Sequence, residues 1–303
     1  MIRIKFTNFW KDFDYKNNFI TDLLKKYNIN HIVVDDNIDY LIVGSFINNN
    51  TDKNIIKSYP PNTKKILFIS EPIEIFFPNT YELFINNDFT YVFGSINNLY
   101  KNDKQIHFKF PLYMIYFDYK NNNFYSDINN YVLNQDILSK QIICLINSHD
   151  NRNSRTPIYM NLLRKGININ CPGKLFNNSS NEELNLIGKQ EYLKKFIFNI
   201  CPENTKTLPK GYITEKLLQS CMSGCIPIYC GSFDDIDEKI FNKNRIIFYD
   251  YESEESVNYC CLQILYLTNN NNKLENFYKQ PPFVDTAYKT LNDMENTFFN
   301  VFR

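Results

Sequence analysis

Short runs of β-branched and aromatic residues alternate along this chain with stretches whose apolar residues recur every three or four positions. MIRIKFTNF opens as a strand, and DYKNNFITDLLKKYN brings Phe19, Ile20, Leu23 and Leu24 to one helical face. HIVVDD, DYLIVGSF, TKKILFIS (Thr63–Ser70), FTYVFGS and KFPLYMIYF read as further strands. A second series starts near residue 140. KQIICLINS (Lys140–Ser148) reads as a buried strand, and RTPIYMNLLRKG as a helix with Gly166 closing it. A strand follows near Phe196–Cys201, then a helix of small residues, the strand CIPIYCG and the strand NRIIFYDY. ESVNYCCLQILYLT and DTAYKTLNDMENTFFNVF close the chain as helices. Strands alternating with helices point to parallel α/β architecture. The two series are joined near residues 118–138, and no internal repeat is visible.

Composition narrows the picture. The 303 residues suit two domains of roughly 150 residues each. Hydrophobic residues make up 44% and aromatics 16%, enough to fold a globule. A formal net charge of zero argues against a general nucleic-acid or membrane-surface binder. Asn-rich runs at Asn48–Asn50, Asn121–Asn123 and Asn269–Asn272 fit an AT-rich coding bias and are expected in exposed loops. No apolar run approaches the roughly 18 residues of a membrane span, and the first residues lack a signal-peptide core. A cytoplasmic location is therefore expected, with the eight cysteines reduced and buried as small hydrophobes; their spacing lacks CxxC pairs.

The chemistry concentrates in ENTKTLPKGYITEKLLQSCMSGCIPIYCGS, Glu203 to Ser232. Thr214 suits a helix N-cap, because its hydroxyl can accept a first-turn N–H. Leu217, Leu218, Cys221 and Met222 then form an apolar face, while Ser220, Ser223 and Gly224 allow close packing on the next strand. A helix start of this kind favours an anion such as a diphosphate. Lys216 would add a point charge, and Glu215 could accept from sugar or ribose hydroxyls. Equally, Glu215 could only complement the helix dipole and Lys216 be solvated.

The segment resembles the donor motif of the family 10 glycosyltransferases, the α1,3/α1,4-fucosyltransferases. Glu203, Asn204, Tyr212, Thr214, Glu215, Lys216, Pro227 and Gly231 fit its E-N, Y-[IVT]-T-E-K and P-[VI]-x-x-G elements. Upstream, CLINSHDNRNSRTPIYMNLL resembles the family's strand, loop and Arg-bearing helix start, with Arg155 in place of the diphosphate-binding arginine. GININCPGKLFNN, FNKNRIIFYDYES and FYKQPPF extend the likeness over about residues 140–285; it is weaker over 1–135. The resemblance implies an α/β GT-B fold, two Rossmann-like domains facing across a cleft. Residues 1–135 would bind the acceptor, 136–285 the nucleotide-sugar donor, and 286–303 would form a C-terminal helix.

An inverting transfer needs a base for the acceptor hydroxyl. Glu71, past the end of the strand in KKILFISEPIE, stands where the family carries its proposed base, with Glu74 the nearest rival and a solvated loop carboxylate the plain alternative. Arg155 and Lys216 would stabilise the leaving diphosphate. Glu215 and Tyr212 would hold sugar or ribose, although Tyr212 could equally be a core aromatic, and Glu203 and Asn204 would shape the donor loop. Asp35–Asp36 and Asp234–Asp235 read as loop acids, so no metal site and no obligatory cofactor is expected, with Mn²⁺ or Mg²⁺ at most stimulating. The resulting expectation is transfer of fucose from GDP-fucose to a glycan. Pro202, Cys230 and Arg245 depart from the family pattern and leave another nucleotide-deoxyhexose donor, or a binding protein without catalysis, as alternatives.

Overall fold

The computed structural model describes residues 1–95, 104–116, 121, 123–205 and 210–303. They form two compact α/β units. The first holds the chain up to Tyr116, a short stretch ending at Tyr212, and Lys289–Arg303; the second holds the remaining described chain as far as Tyr288.

In the first unit the strands are β1 (Ile2–Thr7), β2 (His31–Val33), β3 (Tyr40–Gly44), β4 (Lys64–Ile69), β5 (Tyr91–Gly94) and β6 (Ile106–Lys109). They form one sheet in the order β2-β1-β3-β4-β5-β6, every pair parallel. A parallel sheet must be covered on both faces, and β3 is buried along its whole length. On one face Leu41, Val43, Leu67 and Val92 pack with Ile56, Leu83 and Phe84, the last three from the helices Asn50–Ser58 and Pro78–Ile85. The other face is aromatic. The C-terminal helix Ala287–Asn300 covers it, with Phe298 lying 4.6 Å from Phe93 and 4.9 Å from Phe110 between ring centroids.

The second unit contains β7 (Gln141–Cys144), β8 (Ile169–Asn170), β9 (Phe196–Ile200), β10 (Ile226–Tyr229) and β11 (Ile247–Phe248), in the parallel order β11-β10-β9-β7-β8. Chain order reverses between β7 and β9. The loops leaving the carboxyl ends of those two strands are where ligands of open α/β sheets bind. Ile143, Ile158, Leu162, Phe198, Ile226 and Ile264 belong to the main core, and Cys144, Tyr192, Leu193, Phe196 and Cys225 form a second cluster.

Several local expectations are corrected. KFPLYMIYF is not one strand: β6 ends at Lys109, and after Pro111, which has no N–H for a ladder, Leu112–Tyr116 forms a 3-10 turn. The strand expected over Lys140–Ser148 is limited to Gln141–Cys144, and its first two residues are exposed. The runs Asn48–Asn50 and Asn269–Asn272 are exposed but do more than fill loops. Asn49 caps the helix Asn50–Ser58 by accepting from Asp52 N at 2.8 Å, and Asn271 and Asn272 open the helix Asn271–Tyr278. Asn8, Asn28, Asn37, Asn87 and Asn153 also take positive φ, a conformation usually given to glycine, of which the chain has only 8. Arg245 lies at the amino end of β10, donating to the carbonyls of Gly224, Cys225 and Tyr278 at 2.7–2.9 Å, and so sits at the end of the strand opposite the ligand loops. The junction expected near 118–138 and the loop between Asn204 and Tyr212 fall partly outside the described residues.

All eight cysteines are free and buried. Burial pushes the Cys171 thiol up to about 11 and Cys260 well above its ordinary range, which makes them poor nucleophiles. No helix among the described residues is long and apolar enough to cross a membrane.

Candidate functional site

Thr214 caps the helix Glu215–Met222 from extended backbone, its Oγ1 accepting from Lys216 N at 3.5 Å. Leu217, Leu218 and Cys221 are buried beneath, Ser220 is buried beside them, and Gly224 at φ +74° ends the run. Met222 is only partly buried.

Glu203, just past β9, fastens this helix start. It is fully buried. It accepts from Thr214 N at 2.8 Å, Thr214 Oγ1 at 2.7 Å, Tyr229 Oη at 3.0 Å and Lys216 Nζ at 3.3 Å. A buried carboxylate survives only with such pairing. Its surroundings make it an anchor for Thr214 and Lys216 rather than a surface for a ligand. Burial, followed by the nearby Glu203 charge, holds the Tyr229 phenol well above its ordinary value, so it remains a donor. Gly231 is required here: a Cβ would lie 2.3 Å from Tyr229 Oη, the atom that reaches Glu203.

Lys216 Nζ also donates to Thr214 Oγ1 at 3.0 Å and lies 3.9 Å from Glu215 Oε1. Both side chains keep some exposure, 13% for Lys216 and 23% for Glu215, so a ligand can reach them. Lys189 opens the helix Lys189–Leu193, which is tied to the same helix by Ser223 Oγ donating to the Gln190 carbonyl at 2.9 Å. Burial lowers the Lys189 pKa, with the Glu215 charge opposing.

Arg155 follows β7 and is 2% exposed. Its Nη1 donates to Ser154 Oγ at 3.0 Å and pairs with Asp150 at 3.4 Å, and its Nη2 reaches the Pro202 carbonyl at 3.4 Å and Asn204 Oδ1 at 3.5 Å. The guanidinium thus bridges the loops after β7 and β9, at the reversal of strand order. Its buried Nε has no hydrogen-bond partner among the described residues. Asp150 was not singled out by the sequence pattern. Its carboxylate caps the helix Thr156–Arg164, accepting from the backbone N–H groups of Ser154, Arg155 and Thr156 at 2.8, 3.0 and 2.7 Å. Burial pushes the Asp150 carboxyl up, but bonds from Thr156 and Arg155 outweigh it and the net shift is downward. That helix end already holds an anion of its own.

The second unit thereby brings together Arg155, Glu203, Asn204, Thr214, Glu215 and Lys216. Glu71 and Tyr212 belong to the first unit. Glu71 is half-buried just past β4 and accepts from Tyr212 Oη at 2.6 Å. Glu74, in the single-turn helix Ile73–Phe76, has its carboxyl raised by burial, against a weaker opposing backbone hydrogen bond. His149 is exposed.

Solved structures of other proteins share this fold. An alpha1,3-fucosyltransferase crystallised with GDP-fucose matches with a TM-score of 0.67 at 20% identity, covering 100% of this chain and 90% of that one. Anabaena HepE in complex with UDP-glucose matches with a TM-score of 0.58 at 10% identity, covering 99% and 100%. The fold class is GT-B, built from two parallel-sheet α/β domains. In sequence, the alpha-(1,3)-fucosyltransferase FucT of Helicobacter pylori is 34% identical over 99 residues, 32% of this chain, and the match spans 19% of that relative's length. Residues 137–295 match the profile described as glycosyltransferase family 10 (fucosyltransferase), C-terminal. That stretch is more than half of the chain and contains the whole Arg155–Glu203–Lys216 arrangement, and the chain belongs to glycosyltransferase family 10.

Proposed function

We propose that this chain is an inverting fucosyltransferase that moves fucose from GDP-fucose to a glycan hydroxyl, in the manner of an α1,3-fucosyltransferase. The observation that carries this reading is the pairing of two positive groups, Arg155 and Lys216, beyond the carboxyl ends of the strands where chain order reverses, each locked by a buried carboxylate. Arg155 and Lys216 receive the diphosphate and stabilise the charge that grows on it as the glycosidic bond breaks. Glu215 accepts from sugar or ribose hydroxyls, Asn204 borders the donor through its contact with Arg155, and Glu203 with Thr214 holds Lys216 in place. Glu71 is the base that takes the acceptor proton. Glu74, whose raised pKa makes it a weaker carboxylate for permanent charge, is the alternative base. With two cations for the diphosphate, turnover proceeds without an obligatory metal, and Mn²⁺ or Mg²⁺ acts at most as a stimulant. The eight free thiols suit a reducing compartment, the cytoplasm.

Pro202 and Cys230 stand where the family carries larger residues, and these favour a second reading in which the same site takes a different nucleotide-deoxyhexose. Calorimetric titration with GDP, GDP-fucose, GDP-mannose and UDP-glucose decides between them. Selective binding of GDP-fucose, weakened about tenfold or more by Lys216→Ala, is the expected result. Preference for another nucleotide sugar changes the donor and keeps the site; no binding of any nucleotide removes the enzyme reading.

A further inference from the structure

A surface helix normally turns charge outward. The helix Glu254–Thr268 does so only in its first turn; after Glu255 it carries no charged residue. Its inner face is buried through Val257, Cys260, Cys261, Ile264 and Leu267. Glu255, Tyr259, Leu262 and Tyr266 recur at steps of four, three and four, and so line the opposite, outer face. Tyr259 is 69% exposed, Leu262 48% and Tyr266 54%. The helix Thr156–Arg164 packs alongside. It buries Ile158 and Leu162 and leaves Met160 and Leu163 exposed, and at its end stand Arg164, exposed, and Lys165, half-buried. Both helices follow strands of one parallel sheet. Tyr249 Oη, ahead of one helix, donates to the Ser154 carbonyl, ahead of the other, at 2.7 Å, so the two start together and run the same way. Glu254 and Glu255 therefore lie at the starting end of the pair and Arg164 and Lys165 toward the other, with apolar side chains between them. Among the described residues none of these four charges has an ion-pair partner.

We propose that this two-helix face is an interface between two copies of this chain. The charges select the occupant. A two-fold axis lying in the face and crossing the helices reverses one pair against the other. The acids of each copy then stand opposite the bases of its partner, twice over, while the apolar side chains close on one another. A lipid surface would take up the apolar residues and the bases, but it would strip water from Glu254 and Glu255 and give them no partner. The face measures about 22 Å along the 15-residue helix and about 20 Å across. That is at the small end for a specific interface and corresponds to a reversible dimer. The inference is independent of the donor chemistry.

Sedimentation equilibrium of the whole chain, from about 1 to about 200 μM, tests this. The expected result is a monomer–dimer equilibrium with a dissociation constant of about 1–50 μM. Leu262→Glu should weaken it about tenfold or more. Glu255→Lys alone, or Arg164→Glu alone, should weaken it about threefold to tenfold, because each brings like charges together at both contacts. An equimolar mixture of those two variants should regain the parent's dimer, since the mixed pair has opposite charges at both contacts again. Damage to the fold could not be repaired by mixing, and the thermal melts of these exposed-site variants should match the parent. A monomer at every concentration overturns the proposal. So does a dimer that Leu262→Glu leaves unchanged, or a mixture no more dimeric than its two components. A monomer that floats with phosphatidylcholine vesicles, and stops doing so with Leu262→Glu, gives the face to lipid and overturns it as well.

Discussion

Two glutamates occupy equivalent places in the two units, each a few residues past the carboxyl end of a parallel strand, and they are treated in opposite ways. Glu203 is wholly buried and receives hydrogen bonds from the backbone N–H and the hydroxyl of Thr214, from a phenol and from an ammonium. Glu71 is half-buried and is held by the Tyr212 phenol. A carboxylate that has been fully desolvated and matched by four donors is committed to structure, since moving any partner exposes an uncompensated charge. A carboxylate that keeps access to solvent can change its protonation at modest cost. The location past a strand end makes a site available; the burial of the residue decides whether it can only build the site or could also work in it.

Exchanging charge for an amide at the two positions is the strongest way to break this comparison. Glu71→Gln should lower kcat by about 10²–10⁴-fold while the thermal midpoint and GDP affinity stay close to the parent values. Glu203→Gln should do the reverse in character, removing about 3–5 kcal/mol of stability by leaving Lys216 without its buried partner, as read from denaturant unfolding. If both variants lose activity and stability together, the division of labour is wrong.

Asp150 sharpens the same point at a third carboxylate. Its pKa is lowered from the ordinary value of 3.8, so the folded state favours its charged form. The stability it contributes is complete above 3.8 and is lost as the pH falls through its lower folded value. Asp150→Asn should cost about 2 kcal/mol near neutrality. The gap between variant and parent in unfolding midpoint should close on acidification below 3.8; a gap that persists in acid would mean the carboxylate is not what matters. The smallest expected effect is Thr214→Ala, which removes the helix cap and one bond to Glu203 for about 1–2 kcal/mol, measured by the same unfolding curves.

The strands could be read directly because buried parallel strands are short apolar runs, as in YLIVG and FIFNI. The helix Asn50–Ser58 could not, because NTDKNIIKS buries only Ile56 and its apolar periodicity is too weak to see. KFPLYMIYF misled for the opposite reason: it is apolar enough for a strand, and only Pro111 signals the break. In the site, Arg155, Thr214, Glu215 and Lys216 were visible because they lie in contiguous motifs. The anchoring work of Glu203 was not, since its partner Tyr229 comes from the next strand. Asp150 carried no signal in the sequence, because its role depends on a turn that brings the N–H groups of Ser154, Arg155 and Thr156 to it. A bond across 141 positions, such as Tyr212 to Glu71, leaves no trace in the local pattern of one sequence.

The use of asparagine where other chains place glycine has a consequence for how this molecule ages. Asn153 is exposed, sits at φ +53°, and is followed by a serine; its turn aims the N–H groups of Ser154, Arg155 and Thr156 at Asp150. Side-chain amides hydrolyse with time and heat. Hydrolysis at this one residue would write a new negative charge two positions before Arg155. The loop around Arg155, proposed above to hold the donor, would then carry a covalent clock beside its thermodynamic stability.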